Sequence, residues 1–276
     1  MKCLDGIKIK EKLQKEICEK IKTNHWNLTI AIIQVGNYES SKLYLKNKEK
    51  FANSIGVHCK IDQLKESITE EELIHHIRKL NNNPKIDGII LQSPTPKHIN
   101  FEKTSQEICC EKDLDGLNPD SGILPCTVKA ILKILEEYKI SLQKKKVTII
   151  GRSTIVGKPL SNILSKRKIS HKLCHSKTKN IEEVMQKSDV IISATPIPNM
   201  ISKDMVKEGF IGIDVAICKI EDKIVGNFQK ETYEKSSYIT PVPGGIGPLT
   251  VAMIFENLIE LKEKQEKSRN NEKKLI

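Results

Sequence analysis

Residues 146–159 read KVTIIGRSTIVGKP, and this segment indicates the fold class of the chain. Residues 146–150 have the apolar, β-branched character of a buried strand, and residues 157–167 have the periodicity of a helix. In doubly wound α/β folds, this first strand-to-helix turn binds the phosphates of a dinucleotide at the amino end of the helix. The usual Gly-x-Gly-x-x-Gly spacing is altered, because Ser153 takes the second glycine position and one residue is added before Gly157. The alternative is an ordinary tight turn without a ligand.

The rest of the chain alternates between strand and helix character in the same way. Strands are predicted at 28–35, 58–64, 87–93, 172–174, 189–194, 210–217 and 237–239, and helices at 40–55, from a cap at 67–69 to 81, and at 127–138, 181–187 and 249–261. Such alternation indicates parallel sheets with helices on both faces. We therefore predict an α/β fold with two domains. Residues 1–125, with a returning C-terminal helix at 249–276, form the first, and residues 126–248 form a Rossmann-like second.

Composition excludes several classes of protein. The net charge is +11, but 42 of the 46 basic residues are lysines and aromatic residues make up only 4% of the chain. Base recognition and stacking favour arginine and aromatic side chains, so we expect no nucleic-acid partner. The eight cysteines include no Cys-x-x-Cys pair, which argues against zinc ligation or a disulfide framework. No apolar run reaches the roughly 20 residues that span a bilayer, and the chain start has no signal-peptide core. A cytoplasmic protein with no membrane association and no metal site is expected.

The segment after the second strand of the Rossmann-like unit indicates which cofactor binds. Residues 174–179 read CHSKTK, with no acidic residue to accept from a ribose 2′-hydroxyl. The hydroxyl of Ser176 and the nearby lysines suit an anionic 2′-phosphate. Arg152, one of only four arginines, adds a planar fork that binds phosphate in bidentate fashion. These residues favour NADP over NAD.

Three polar residues recur on one face of the helix predicted at 40–55. Ser41, Tyr44 and Lys48 are spaced i, i+3 and i+7. In solvent they would be an unremarkable polar stripe. Facing a cleft, the tyrosine ring offers a stacking surface and the lysine amine a general base. Gln92, at the carboxyl end of a predicted buried strand, is either a strand-end amide with local partners or a ligand-binding group.

Two further segments allow two interpretations each. Residues 111–117 read EKDLDGL, in which Asp115 either shapes a turn or accepts two parallel N–H bonds from an amidine-like heterocycle edge. Residues 239–248 read ITPVPGGIGP, a stiff ribbon of prolines and glycines. Its backbone is suited to lie against a flat ligand. The alternative interpretation is an irregular buried loop that binds no ligand.

Taken in order, these segments resemble the bifunctional methylenetetrahydrofolate dehydrogenase/methenyltetrahydrofolate cyclohydrolase family. The resemblance runs from about Asp5 to Asn257. Its motifs, each of modest specificity alone and highly specific as an ordered set, are SxxYxxxK, DGxxxQxP, KDxDG, PCT, GRSxxVGxP, CHSxT and TPVPGGxGP. It implies a catalytic N-terminal domain, an NADP-binding domain, a folate cleft between them and a homodimer.

The resemblance also implies roles for individual residues. Lys48 corresponds to the essential lysine, Tyr44 to the ring that stacks on the folate, Gln92 to the residue that holds the amine, and Asp115 to the anchor of the pterin. The predicted folate contacts also include Ser41, Pro241, Gly244 and Gly245. The predicted NADP contacts are Gly151, Arg152, Ser153, Ser176 and Ile217.

The chain departs from the family pattern at several positions, most of them in the hinge or the cofactor domain. Residues 122–125 are shorter than usual, Val128 and Ala130 replace the usual Pro and Gly, Thr195 and Ala216 replace glycines, and residues 226–228 read GNF. These departures suggest a cyclohydrolase whose dehydrogenase activity or NADP affinity is reduced. A non-catalytic folate- or nucleotide-binding relative, or another NADP dehydrogenase, are further alternatives.

Overall fold

The structure is a computed structural model that describes residues 1–221 and 223–274. The first elements are β1 (Lys2–Cys3), α1 (Gly6–Thr23), β2 (Thr29–Val35), α2 (Glu39–Ser54), β3 (His58–Leu64), α3 (Glu70–Asn81), β4 (Gly88–Leu91), α4 (Phe101–Ser105) and α5 (Cys126–Glu137). The chain continues with β5 (Val147–Ile150), α6 (Gly157–Lys166), β6 (His171–Cys174), α7 (Ile181–Gln186), β7 (Val190–Ser193), a 3₁₀ helix (Lys203–Met205), β8 (Phe210–Asp214), β9 (Cys218–Ile220), β10 (Lys223–Val225), α8 (Thr232–Lys235), β11 (Ser236–Ile239) and α9 (Ile246–Lys274).

Contacts divide these elements into two compact units. The three-stranded unit comprises Glu11–Cys126 and the chain from Val251 onward, and the six-stranded unit comprises Met1–Lys10 and Thr127–Thr250. Both sheets are parallel and the elements alternate along the chain. The predicted α/β fold class is therefore confirmed.

The three-stranded unit has the strand order β3-β2-β4. Six of the seven residues of β2 are buried, as expected for a parallel strand covered on both faces. Ala31, Ile33 and Val35 belong to one core cluster with the apolar stripe of α3. That helix begins with the predicted cap, in which the Thr69 side chain accepts from the backbone N–H of Glu72.

Helix α9 contributes its later part to this unit. The buried ring of Phe255 stacks on that of Phe51 of α2, with ring centroids 4.9 Å apart. The prediction that the last helix returns to the first domain is confirmed. The helix begins at Ile246, three residues before the predicted start, because Pro248 falls in its first turn, where proline is tolerated.

The six-stranded unit has the order β1-β11-β8-β7-β5-β6. Strand β5 lies between β6 and β7, with Ile150 opposite both Cys174 and Ser193. Residues 1–10 group with this unit rather than with the first domain to which the sequence analysis assigned them. The reason is that Lys2 and Cys3 pair with Tyr238 and Ile239 of β11.

Several elements differ from the predictions. Helix α1 and the antiparallel pair β9–β10 have no counterpart in the sequence analysis. The strand predicted at 210–217 ends at Asp214, whose carboxylate accepts from Ala216 N and turns the chain. None of the described helices combines the length and the apolar character needed to cross a bilayer.

Candidate active-site residues

The amine of Lys48 is held inside the three-stranded unit. Lys48 lies on α2 with 8% of its surface exposed, and its Nζ donates to Oε1 of Gln92 at 2.8 Å. Gln92 follows β4 directly, is 7% exposed, and donates through Nε2 to the carbonyl of Ser93 at 2.6 Å. The orientation of its amide is thereby set, so that the oxygen faces the amine. The structure brings these two predicted residues together.

Ser41 and Tyr44 lie on the same helix as Lys48. Ser41 is buried, and its hydroxyl approaches the carbonyl of Ser93 at 3.5 Å. Tyr44 is half-buried, and burial raises the pKa of its phenol, which therefore stays protonated at neutral pH. The predicted polar stripe thus faces the end of β4 rather than open solvent.

The loop at 113–116 contains two carboxylates, and only that of Asp113 forms the turn. Asp113 is fully buried and accepts from Gly116 N at 3.0 Å and Asn118 N at 2.8 Å. Gly116 has φ +67°, and a Cβ there would lie 2.5 Å from the Leu124 carbonyl oxygen. The turn is therefore shaped by Asp113 and Gly116, and Asp115 is left for another role.

Asp115 lies near the amine of Lys48. Burial raises the pKa of Asp115, while the Lys48 ammonium and a hydrogen bond from Cys126 act in the opposite direction. Its neighbour Asp113 has a pKa raised to about 6, first by burial and further by the charge of Asp115. The two carboxylates and the amine form one electrostatically coupled group.

A buried asparagine on α9 supports this loop. Asn257 donates through Nδ2 to the carbonyls of Leu114 at 2.9 Å and Leu124 at 3.2 Å, on either side of Asp115 in sequence. No role for Asn257 was predicted from the sequence. The only sequence signal for it is a polar residue inside an otherwise apolar helical stretch.

The predicted cofactor turn lies at the carboxyl end of β5 in the six-stranded unit. Gly151 has φ +109°, and a Cβ there would overlap the carbonyl oxygen of Ala194. A Cβ on Gly157 would lie 2.7 Å from the carbonyl carbon of Gly151. Both glycines are therefore required by close backbone packing. Arg152 and Ser153 are exposed, and the Ser153 hydroxyl accepts from Val156 N at 3.2 Å just before α6.

The predicted 2′-phosphate residues follow the neighbouring strand. Gly151 N donates to the carbonyl of Cys174 at 2.9 Å, which places the ends of β5 and β6 side by side. Ser176 is exposed in the next turn, where Thr178 Oγ1 accepts from His175 N at 2.9 Å. The residues present fit NADP: an open glycine turn at a helix start, an arginine, a serine and lysines, with no carboxylate in 174–179.

Asp214 and Asn227 organise the carboxyl ends of β7 and β8. Asp214 accepts from the backbone N–H of Ala216, Asn227 and Phe228, and burial raises its pKa to about 6. Asn227 accepts from Ser193 Oγ and Thr195 N and donates to the Thr195 carbonyl. Thr195, Ala216 and Asn227, three of the departures from the family pattern, therefore share one hydrogen-bond network.

Ile217 and the proline–glycine ribbon lie in the same unit. Ile217 is 45% exposed, and its Cδ1 would be 3.0 Å from a Cβ on Gly247 at the start of α9. Gly244 and Gly245 are buried, Pro241 is half-buried, and Gly6 N donates to the Gly244 carbonyl at 2.9 Å. A Cβ on Gly6 would lie 2.7 Å from the Gly245 carbonyl carbon. Packing against α1 therefore accounts for part of the glycine content of the ribbon.

The predicted residues fall into one group in each unit. Ser41, Tyr44, Lys48, Gln92 and Asp115 lie in the three-stranded unit, and Gly151, Arg152, Ser153, Ser176, Ile217, Pro241, Gly244 and Gly245 lie in the six-stranded unit. Across the described residues, no group of three or more His, Cys, Asp or Glu side chains is arranged to hold a metal ion.

Models of two domains of one protein family match the chain. The catalytic domain of tetrahydrofolate dehydrogenase/cyclohydrolase matches residues 4–115, and the NAD(P)-binding domain of the same family matches residues 125–266.

Individual proteins give the same result over almost the whole chain. The bifunctional protein FolD of Thermodesulfovibrio yellowstonii is 42% identical over 272 residues, covering 93% of this chain and 94% of that protein. The crystal structure of the bifunctional enzyme FolD, a methylenetetrahydrofolate dehydrogenase/cyclohydrolase from Campylobacter jejuni, is 38% identical with a TM-score of 0.92, covering 96% and 99% of the two chains. The Trypanosoma brucei enzyme, solved with NADP cofactor and an inhibitor, is 27% identical with a TM-score of 0.89, covering 95% and 97%. The chain belongs to the tetrahydrofolate dehydrogenase/cyclohydrolase family.

Proposed function

We propose that this chain oxidises 5,10-methylenetetrahydrofolate with NADP⁺ to the 5,10-methenyl cation and then hydrolyses that cation to 10-formyltetrahydrofolate. Membership of the family supports both activities. The single observation that carries the proposal is the buried contact between Lys48 Nζ and Gln92 Oε1 beside Asp115.

The hydrolysis step needs a group that moves protons, and we assign this to Lys48. Water adds to the methenyl carbon, and the neutral amine takes one of its protons. The amine delivers that proton to the ring nitrogen as the carbon–nitrogen bond breaks. It then takes the hydroxyl proton as the formyl carbonyl forms, and releases it to solvent. Gln92 accepts from the amine and limits its movement, which suits general acid–base catalysis.

The remaining polar residues of this group orient the substrate. We assign Asp115 to the amino-pyrimidine edge of the pterin, because Asp113 already shapes the turn. Tyr44 offers its ring for stacking, and Ser41 fixes the start of the same helix against the Ser93 carbonyl. These residues hold the reactive carbon at a constant distance from the amine.

Oxidation requires no protein proton, so the six-stranded unit acts by binding and alignment. When bound, NADP⁺ supplies the acceptor for the hydride that leaves the one-carbon bridge. We assign Gly151 and Ser153 to the pyrophosphate, Arg152 and Ser176 to the 2′-phosphate, and Ile217 to an apolar contact with the cofactor. Pro241, Gly244 and Gly245 are assigned to the folate.

Three finer statements belong to the same proposal. We infer a homodimer, which sedimentation should reveal as twice the chain mass. We infer a cytoplasmic location, which agrees with the lack of any disulfide among the eight cysteines, all of which lie in described residues. The reduced dehydrogenase activity suggested by Thr195 and Ala216 stays a prediction. An NADP Michaelis constant in the micromolar range usual for enzymes would contradict it.

Replacing Lys48 with methionine tests the proposal. Lys48→Met keeps the length of the side chain and removes the amine, so the hydrolysis rate should fall by about 10²- to 10⁴-fold. Binding of tetrahydrofolate should persist. Lys46→Met, an exposed position on the same helix, is the matched control and should behave like wild type. Hydrolysis at the wild-type rate in Lys48→Met would contradict the assignment, and a wild-type protein without either activity would favour a non-catalytic relative.

A further inference from the structure

Gln34 is a buried amide whose role neither the fold nor the proposed function explains. It is the penultimate residue of β2 and is 1% exposed. Its Oε1 is buried and has no hydrogen-bond partner among the described residues. A buried acceptor without a donor costs free energy, so such an atom in a native core needs an explanation.

The orientation of this amide is determined by its nitrogen. Nε2 of Gln34 donates to the carbonyls of Val35 at 3.2 Å and Gly36 at 3.3 Å. Turning the amide over would place its oxygen against two carbonyl oxygens, which is unfavourable. The Gly36 carbonyl also accepts from Nε2 of Gln63. The oxygen of the Gln34 amide therefore remains available to a further donor.

Strand register places Gln34 beside Gln92. Ile33 is opposite Leu91 in the parallel pair β2–β4, and Gln92 N donates to the Ile33 carbonyl at 2.9 Å. Ile33 and Leu91 both pack in the cluster against α3, so the next residue on each strand projects from the opposite face. That face carries the Lys48–Gln92 contact. Neighbouring strands are about 4.8 Å apart, within the reach of a glutamine side chain.

An ammonium at this place needs more than one acceptor. It has three N–H donors, and Gln92 Oε1 accepts one of them. The titratable groups around it are Tyr44 and Glu49 on α2, Cys59 on β3, and Asp115 with its neighbour Asp113 in the loop. A second amide oxygen from β2 would complete its hydrogen bonds without adding a charge.

We propose that Gln34 is a positioning residue for hydrolysis, whose Oε1 accepts a hydrogen bond from Lys48 when that amine carries the proton taken from water. This inference rests on the proposed function of Lys48. A change in the side-chain torsions of Gln34 or Lys48 makes the bond, and no covalent bond or electron is involved. This hydrogen bond would favour the charged form of the amine.

Two substitutions with opposite electrostatic effects test this role. Gln34→Met removes the acceptor at similar volume, so the acidic limb of the cyclohydrolase pH profile should move to lower pH. A hydrogen bond to a charged group corresponds to a shift of about one to two pH units. Gln34→Glu adds a negative charge, so the limb should move to higher pH. Both variants lose the Nε2 donor of Gln34. If Gln34 had only a structural role, the acidic limbs of the two variants would therefore move in the same direction.

Gln63→Met is the matched control, because it removes an amide at the paired position on β3, on the side of β2 away from Gln92. Its limb should stay at the wild-type pH. Dehydrogenase kcat, which depends on no proton transfer, checks that each variant is folded. The inference would be overturned if the acidic limb of either folded Gln34 variant stayed at the wild-type pH. It would also be overturned if the limbs of Gln34→Met and Gln34→Glu moved equally in the same direction. Failure of the proposed function would look different, because the wild-type protein itself would then show no hydrolysis.

Discussion

A single substitution in the turn after β5 should impair oxidation and leave hydrolysis unchanged. Gly151→Ala adds a Cβ in the six-stranded unit, far along the chain from Lys48 and Gln92. If the cofactor assignment is correct, oxidation should lose NADP affinity. Hydrolysis, assayed directly on 5,10-methenyltetrahydrofolate, should stay within about twofold of wild type, because Lys48, Gln92 and Asp115 lie in the other unit.

The size of the effect follows from two costs. Gly151 has φ +109°, a region in which a non-glycine residue costs about 1–3 kcal/mol. The new Cβ would also overlap the carbonyl oxygen of Ala194 and lie 3.1 Å from its carbon, and such overpacking costs about 1–3 kcal/mol. Their combined lower limit is about 2 kcal/mol. If the loop must regain its present shape to bind NADP, the apparent affinity falls by at least about 30-fold.

Steady-state kinetics with varied NADP⁺ measure this change as a rise in the NADP Michaelis constant. Gly209→Ala is the control, because Gly209 also has positive φ, at +74°, but no heavy atom lies within 4 Å of a Cβ there. Gly209 directly precedes β8 and so lies at the amino ends of the parallel strands, whereas Gly151 lies at their carboxyl ends. A folded Gly151→Ala variant with the wild-type NADP Michaelis constant would contradict the assignment of this turn to the cofactor. Equal losses of NADP affinity in Gly151→Ala and Gly209→Ala would contradict it as well.

Three other substitutions test the supporting network. Asn257→Ala removes the amide that serves the Leu114 and Leu124 carbonyls, and should lower the free energy of unfolding in urea by about 1–3 kcal/mol; an unchanged midpoint would contradict this. The pKa of Asp113 is raised by burial from 3.8 to about 6, so its stabilising contribution is complete below pH 4 and is lost as the pH rises through 6. Over the whole titration, from well below pH 4 to well above pH 6, wild type should lose about 3 kcal/mol more than Asp113→Asn, and parallel pH curves would exclude the effect. Gly226→Ala would place a Cβ 2.6 Å from Cγ of Asp214 and displace a carboxylate that accepts three backbone N–H groups. The thermal unfolding midpoint should therefore drop clearly. An unfolding midpoint equal to that of wild type would count against this expectation.

Local sequence patterns predicted the regular elements well where periodicity was strong. The strand at 58–64 has the predicted bounds, and the helix predicted to run from the cap at 67–69 to residue 81 is α3 with Thr69 as its cap. The Lys48–Gln92 pair was predicted only through the family resemblance, since neither spacing nor composition links a helix residue to the end of a strand 44 positions later. Parallel pairing creates that link, because it brings the carboxyl ends of β2 and β4 to one edge.

Most of the elements that were not predicted from the sequence have little local signal. Strand β1 has two residues and exists because β11 offers it a parallel edge. The pair β9–β10 has short strands of mixed exposure, so it shows no alternation that could be recognised. Helix α1 is the exception, because its segment has the charge and apolar spacing of a helix although no helix was predicted there.

The separate roles of Asp113 and Asp115 could not be predicted from the sequence because they depend on a contact that is distant along the chain. In the sequence, Asp113 and Asp115 both stand near a glycine, and turn chemistry favours the Asp-Gly pair, which is Asp115. In the structure, the isolated bridge between Ile89 and Asp113 fixes which way residue 113 faces, and its carboxylate then accepts the N–H groups of Gly116 and Asn118. Asp115 is not used in the turn and lies near the amine of Lys48. A contact with a strand more than twenty residues earlier therefore decides which carboxylate builds the turn and which meets the amine. The same dependence on register applies to Gln34, whose neighbour across the sheet, rather than its neighbours in sequence, gives its unpartnered oxygen a use.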